Sequence, residues 1–265
     1  MKRLIATSLV ILLFLGGLAS AGSTGSEKIK KSTPSTANEC FEGVSRAMFS
    51  FNQALDKVVF EPVAKGYRVL PMVVRNGSSN MMGNISNLLT IPNNILQGDL
   101  AGAGNTAARL AINTTVGILG FFDPAEKMGF PSKGKEDYGQ TLGVWGAQTG
   151  CYFVLPVLGP TTVRDFAGTV INLWGDPWYN MTTADDPMIA DGMFKESDYY
   201  VTKGTDAVDF RAKNIESFDS LEKNSIDLYA SIKSLYLQNR NKKISNSDTI
   251  TETQDESDWE EIDTK

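Results

Sequence analysis

The sequence has 265 residues, 42% of them apolar, 21% charged and 9% aromatic, with a formal charge of −6. That length suits one large domain or two small ones, and the apolar share is enough to bury a core. It contains no histidine and only two cysteines, which excludes Ser-His and Cys-His nucleophile activation, histidine-ligated zinc and an all-cysteine zinc site.

Charge is unevenly placed. Residues 1–21 carry +2 and residues 245–265 carry −7, which leaves −1 for the stretch between. A nearly neutral body offers no field for a phosphate backbone, so nucleic acid is not an expected partner. Lys2 and Arg3 precede an apolar run from Leu4 to Leu15, and Ala19-Ser20-Ala21 supplies small residues at −3 and −1. This is a signal-peptide pattern over 1–21, cleaved between Ala21 and Gly22, and it predicts export. No cysteine follows the apolar run, so lipidation is not expected. Residues 22–38 read as a flexible Ser/Thr/Lys-rich linker, residues 39–244 as the folded domain, and residues 245–265 as an acidic disordered tail.

Within the domain the periodicity is helical. Val44, Met48, Phe51 and Leu55 fall on one helix face. Pro62 suits the first turn of a short helix that stops before Pro71, and Pro71 opens the next. Pro92 is expected to restart the chain. A stripe from Leu100 to Ile118 ends at Gly120, and its small residues (Gly102, Ala103, Thr106, Ala107) permit close backbone approach. Residues 117–146 interleave seven glycines with aromatics, which suits either a hinged segment at a lipid–water interface or a long surface loop. Only Tyr152–Leu155 looks strand-like. Thr162 and Asp165 resemble a capping box, and Ile215 to Leu235 reads as the longest amphipathic helix. The expected fold class is all-α. Neither a G-x-S-x-G elbow nor a complete phosphate loop is present, so no cofactor is expected and an enzyme is disfavoured.

The motif order identifies a family. Arg46-Ala-Met48-Phe-Ser-Phe51-Asn52, Arg75-Asn76-Gly77, Pro92-Asn-Asn94-Ile-Leu-Gln97-Gly98, Gly117-Ile-Leu-Gly120-Phe-Phe-Asp123 and Glu136-Asp137-Tyr138-Gly139-Gln140-Thr141-Leu142-Gly143 resemble, in order and spacing, the MlaA (VacJ) outer-membrane phospholipid-asymmetry lipoproteins. The resemblance implies a ring of short amphipathic helices around a central amphipathic channel, lying in the inner leaflet of the outer membrane. It implies phospholipid as the transported ligand, porin trimers as membrane partners and a soluble periplasmic carrier as acceptor. The alternative is a porin-binding envelope adaptor that moves no lipid. By the same resemblance Asn80, Met81, Asp123, Asp137, Tyr138, Gly139, Gln140 and Gly143 are candidates for the channel or its gate, with Gly139 and Gly143 as hinges. Cys40 and Cys151 stand where relatives carry prolines, and in an exported chain they are expected to form a disulfide.

Overall fold

A computed structural model of the chain describes residues 39–183 and 194–245. The expected signal peptide, linker and most of the acidic tail lie outside the described residues. The fold class is all-α with one small sheet. Helix α1 (Glu42–Leu55) runs through a π-turn (Asp56–Phe60) into α2 (Glu61–Arg68), with Pro62 in its first turn. Pro71 caps α3 (Met72–Leu96), the longest helix at 25 residues. A tight turn at Gly98, φ 82°, leads into α4 (Leu100–Thr115), where Asp99 accepts from the Gly102 amide. Side-chain bonds from Asn84 to Thr114 (2.8 Å) and from Asn94 to Thr106 (3.3 Å) show α3 and α4 lying antiparallel. Then come α5 (Pro124–Lys127) and α6 (Tyr138–Val144). Strands β1 (Tyr152–Leu155) and β2 (Gly159–Thr162) pair antiparallel, Tyr152 opposite Thr162. The chain ends in α7 (Val163–Gly175), α8 (Pro177–Thr183), α9 (Glu196–Lys213), α10 (Ile215–Asn224) and α11 (Leu228–Ile244).

Two expectations are corrected. Pro92 does not restart the chain; it lies inside α3, where Asn93 donates its side-chain amide to the Leu89 carbonyl and Thr90 its hydroxyl to the Ser86 carbonyl. These local bonds hold the turn around the missing proline N–H, and tertiary packing of Asn93 and Asn94 outweighs the proline's helix-breaking tendency. The stripe expected to continue from Ile215 to Leu235 is interrupted. Asp227 caps a new helix through the Ala230 amide and binds Arg46 with both carboxylate oxygens, so α10 and α11 are separate. The apolar stripe of α1 is divided between core and surface. Val44 and Phe51 are more than half exposed, whereas Ser45 is buried and Met48 and Phe49 pack against Tyr152 and Tyr229.

That small core of Tyr152, Val154 and Tyr229 joins the start of the described chain to its end. Arg46 lies 4.4 Å over the Tyr229 ring, and Lys233 pairs with Glu39 at 2.6 Å. At the same place Cys40 and Cys151 are disulfide-bonded, with Cα atoms 5.6 Å apart and a sequence separation of 111. A cross-link closing so long a loop contributes up to about 4 kcal/mol through the unfolded state. Denatured protein is therefore expected to show no free thiol before reduction and two after, and Cys40→Ser with Cys151→Ser should melt at lower temperature. Two thiols per chain without reductant would contradict the bridge.

Candidate functional site

The amide-bearing face of α3 builds one wall of the site. Ser79, Asn80, Gly83, Asn84 and Asn87 recur at helical spacing and line a cavity of about 740 Å³. Arg109 and Asn113 of α4 form a second wall, and Lys203, Asp206, Asp209 and Lys213 of α9 a third. The segment from Asp123 to Lys135 closes the rest. A second cavity, about 240 Å³, lies alongside and is lined by Met82, Ile85 and Leu89 of α3 with Trp178, Glu136 and Asp137. Lys135, Lys203 and Asp206 line both cavities. The ion pairs Lys135–Asp206 (2.8 Å) and Lys203–Asp176 (3.3 Å) therefore stand where the two spaces meet.

Segment 116–134 is held over the cavity by α4. Arg109 is buried and pairs with Asp123 at 2.5 Å, while its other terminal nitrogen donates to the Phe130 carbonyl. Asp123 also accepts from the Asn113 amide at 2.9 Å and caps α5 through the Glu126 N–H. Burial alone would raise the Asp123 carboxyl, but the bonds from Arg109 and Asn113 outweigh it and hold it below the usual range. The chain enters this segment through left-handed residues Ile118, Leu119 and Gly120. Gly120 sits at φ 89° against Asn84, where a Cβ would come within 2.5 Å of the Asn84 side chain, so both shape and backbone demand glycine.

Asp137 belongs to a different network. It caps α6, accepting from the Gln140 backbone and side chain, and receives both terminal nitrogens of Arg240 at 2.7 and 3.0 Å. Arg240 also reaches Asp165 at 2.8 Å, which accepts from the Tyr236 hydroxyl. Burial would push the Asp137 carboxyl up, yet its bonds to Arg240 dominate and bring it down to about 2. α11 is thereby clamped to the start of α6 and to α7.

Of the residues proposed from sequence, Asn80 and Asp123 line the large cavity and Asp137 the small one. Met81, Tyr138, Gly139, Gln140 and Gly143 line neither. Gly139 and Gly143 are helical residues without positive φ, and their role is close approach rather than hinging. A Cβ on Gly139 would meet Arg240 at 2.7 Å, and one on Gly143 would meet Ile244 at 2.7 Å. Sequence reasoning missed Arg109, Lys135, Lys203 and Asp206. A usable signal was present for one wall, since amides at 80, 84 and 87 recur at i, i+4 and i+7 and so share one helix face. Among the described residues no group of acidic or cysteine side chains is arranged to hold a metal.

The clamp yields a prediction with a definite sign. Asp137 titrates below its ordinary 3.8, so its stabilisation is complete above about pH 4 and is lost as pH falls through about 2. Asp137→Asn should cost about 2 kcal/mol at neutral pH. The difference from the parent should shrink below pH 4, as read by denaturant melts across pH; a constant difference would contradict the assignment.

Comparison with known proteins agrees with the motif resemblance. The profile of the MlaA lipoprotein family matches residues 37–243. The "Intermembrane phospholipid transport system lipoprotein MlaA" of Haemophilus influenzae is 28% identical over 262 residues, 92% of this chain and 93% of its own length. The protein of the same name from Escherichia coli K12 is 31% identical over 242 residues, 89% of this chain and 86% of its own. An uncharacterised Rickettsia bellii protein is 34% identical over 203 residues, 76% of this chain and 74% of its own. A solved structure, described as "Structural basis for maintenance of bacterial outer membrane lipid asymmetry", superposes with a TM-score of 0.66 at 27% identity, covering 78% of this chain and 99% of that one. The Haemophilus influenzae and Escherichia coli relatives are named lipoproteins; the first cysteine of this sequence is Cys40. By profile, identity and fold, the chain belongs to the MlaA lipoprotein family.

Proposed function

We propose that this chain is the outer-membrane component of an intermembrane phospholipid transport system, taking mislocalised phospholipid from the outer leaflet and passing it to a soluble periplasmic carrier. The observation that carries the reading is a polar cavity of about 740 Å³ within a helical body whose outer surface exposes large apolar side chains. Val58, Val69, Met72, Val73, Leu100, Val116, Ile118 and Leu119 are each about two-thirds exposed or more. They lie on the flanks of α2, at the starts of α3 and α4, and on the loop after α4. Apolar patches of this kind are costly in water and favourable in an acyl environment. No described helix is long and apolar enough to cross a membrane, so the body is read as embedded in one leaflet, with its short helices surrounding the cavity.

The chemistry of the cargo explains the arrangement. A two-tailed phospholipid in water exposes about thirty methylenes, worth roughly 20 kcal/mol or more. A route must shelter the tails while presenting the headgroup with hydrogen-bonding walls, as the amides of α3 and the ion pairs of α4 and α9 do. Passage between the cavities requires Lys135–Asp206 and Lys203–Asp176 to separate; Lys135–Asp206 is half exposed at both ends and weak, while opening Lys203–Asp176 leaves the buried Asp176 unpaired. The chain acts as a passive conduit rather than an enzyme, with porin trimers as membrane neighbours.

Deletion of the gene should leave phospholipid stranded in the outer leaflet and sensitise cells to detergent and chelator, measured by outer-leaflet labelling. An unchanged outer-leaflet level would contradict transport. Because the apolar faces and not charge are proposed to hold the body in the leaflet, the protein should stay with membranes in high salt and leave in mild detergent. Release by salt alone would contradict that attachment.

A further inference from the structure

Resting on the reading of the large cavity as a headgroup path, we propose that its charge arrangement selects headgroups that carry an ammonium, the zwitterionic phospholipids, over anionic ones. Every cation on the cavity wall is already matched. Arg109 pairs with Asp123 at 2.5 Å, Lys135 with Asp206 at 2.8 Å, Lys213 with Asp209 at 2.8 Å, and Lys203 with Asp176 at 3.3 Å. The charge that remains is a carboxylate. Glu126, exposed in the third position of α5, lines the cavity and has no ion-pair partner among the described residues.

Two consequences follow from that balance. A headgroup whose net charge is −1 finds no unpaired cation on the wall; drawing Lys135 or Lys203 to itself leaves Asp206 or Asp176 without a partner, so the local charge is not improved, and Glu126 adds to it. A phosphoethanolamine headgroup brings its own cation to Glu126. Its phosphodiester then faces the amide wall of Asn80, Asn84 and Asn87, where side-chain N–H donors supply hydrogen bonds without a counter-charge. Asn80 and Asn84 each spend one bond on the frame, to the Phe121 carbonyl and to the Thr114 hydroxyl, and each amide nitrogen carries a second hydrogen. The wall thus divides its labour, with neutral donors for the phosphate and one free carboxylate for the amine.

The test equilibrates the full chain, purified in mild non-ionic detergent, with vesicles of equal parts phosphatidylethanolamine and phosphatidylglycerol. Native mass spectrometry then reads which lipid is retained. A half-exposed charge contact of this kind predicts enrichment of phosphatidylethanolamine by about threefold. Glu126→Gln should bring the ratio toward that supplied, and Glu126→Lys should turn it toward phosphatidylglycerol. Glu126 is exposed, and matching melting curves for the variants show that the fold is unchanged. Lipid retained in the supplied ratio, or a preference that both variants keep, overturns the selectivity while leaving the transport reading in place. Retention of neither lipid overturns the headgroup path itself, and the inference with it.

Discussion

Among the described residues, eighteen buried side chains are polar or charged and ten are apolar. A folded chain can keep so polar an interior only if those groups find partners, because an unmatched buried donor or acceptor costs about 1–3 kcal/mol. The structure meets most of this constraint by placing charges in pairs at the seams between helices, although Asn84 Oδ1, Gln140 Oε1 and one nitrogen each of Arg211 and Arg240 are buried without a partner among the described residues. Arg109 joins α4 to the segment that closes the cavity, Arg211 joins α9 to the π-turn through Asp56, and Arg240 joins α11 to α6 and α7. Apolar burial then plays a smaller part, in two clusters around Tyr152 and Ala64. The arrangement suits a body whose outer face is apolar and whose centre has to admit a polar group.

The same constraint sets which parts of the frame are rigid and which can open. Arg109 and Asp123 are little exposed, and their bond shares atoms with Asn113 and the α5 cap, so the closing segment is firmly hinged at its α4 end. Of the pairs between the two cavities, Lys135–Asp206 is open to water at both ends, whereas Lys203–Asp176 is open only at its lysine, Asp176 being buried. On the proposed reading the first pair opens easily and the second is the firmer part of the partition. The disulfide and the Arg46–Asp227 bond add a closure at the other side, tying α1 to β1 and α11.

Much of the helical architecture is readable from residue order, because prolines at 62 and 71 and the cap at Thr162 act locally. What failed did so for tertiary reasons. Pro92 is carried inside α3 because Asn93 bonds both to its own helix and to Thr141. The break before α11 follows from Asp227 meeting Arg46, 181 positions away. Helix α9, which supplies most of the cavity's lysines and aspartates, has weak amphipathic patterning: Tyr200 and Val201 are exposed while Asp209 and Arg211 are buried. An inside-out helix defeats a rule that assumes water outside. Family resemblance located the segment from Asp123 to Gly146, yet only packing shows the close contacts at Gly139 and Gly143, while the positive φ among the glycines of 117–146 belongs to Gly120, Gly129, Gly134 and Gly146.

The central claim is that phospholipid occupies the polar cavity and not merely the apolar exterior. A photoreactive residue placed at Asn87, on the cavity wall, and separately at Val73, on the outer face, measures this directly in cells grown with radiolabelled phosphate. The account predicts a labelled phospholipid adduct at both positions after irradiation. Labelling at position 73 with none at position 87 would contradict it.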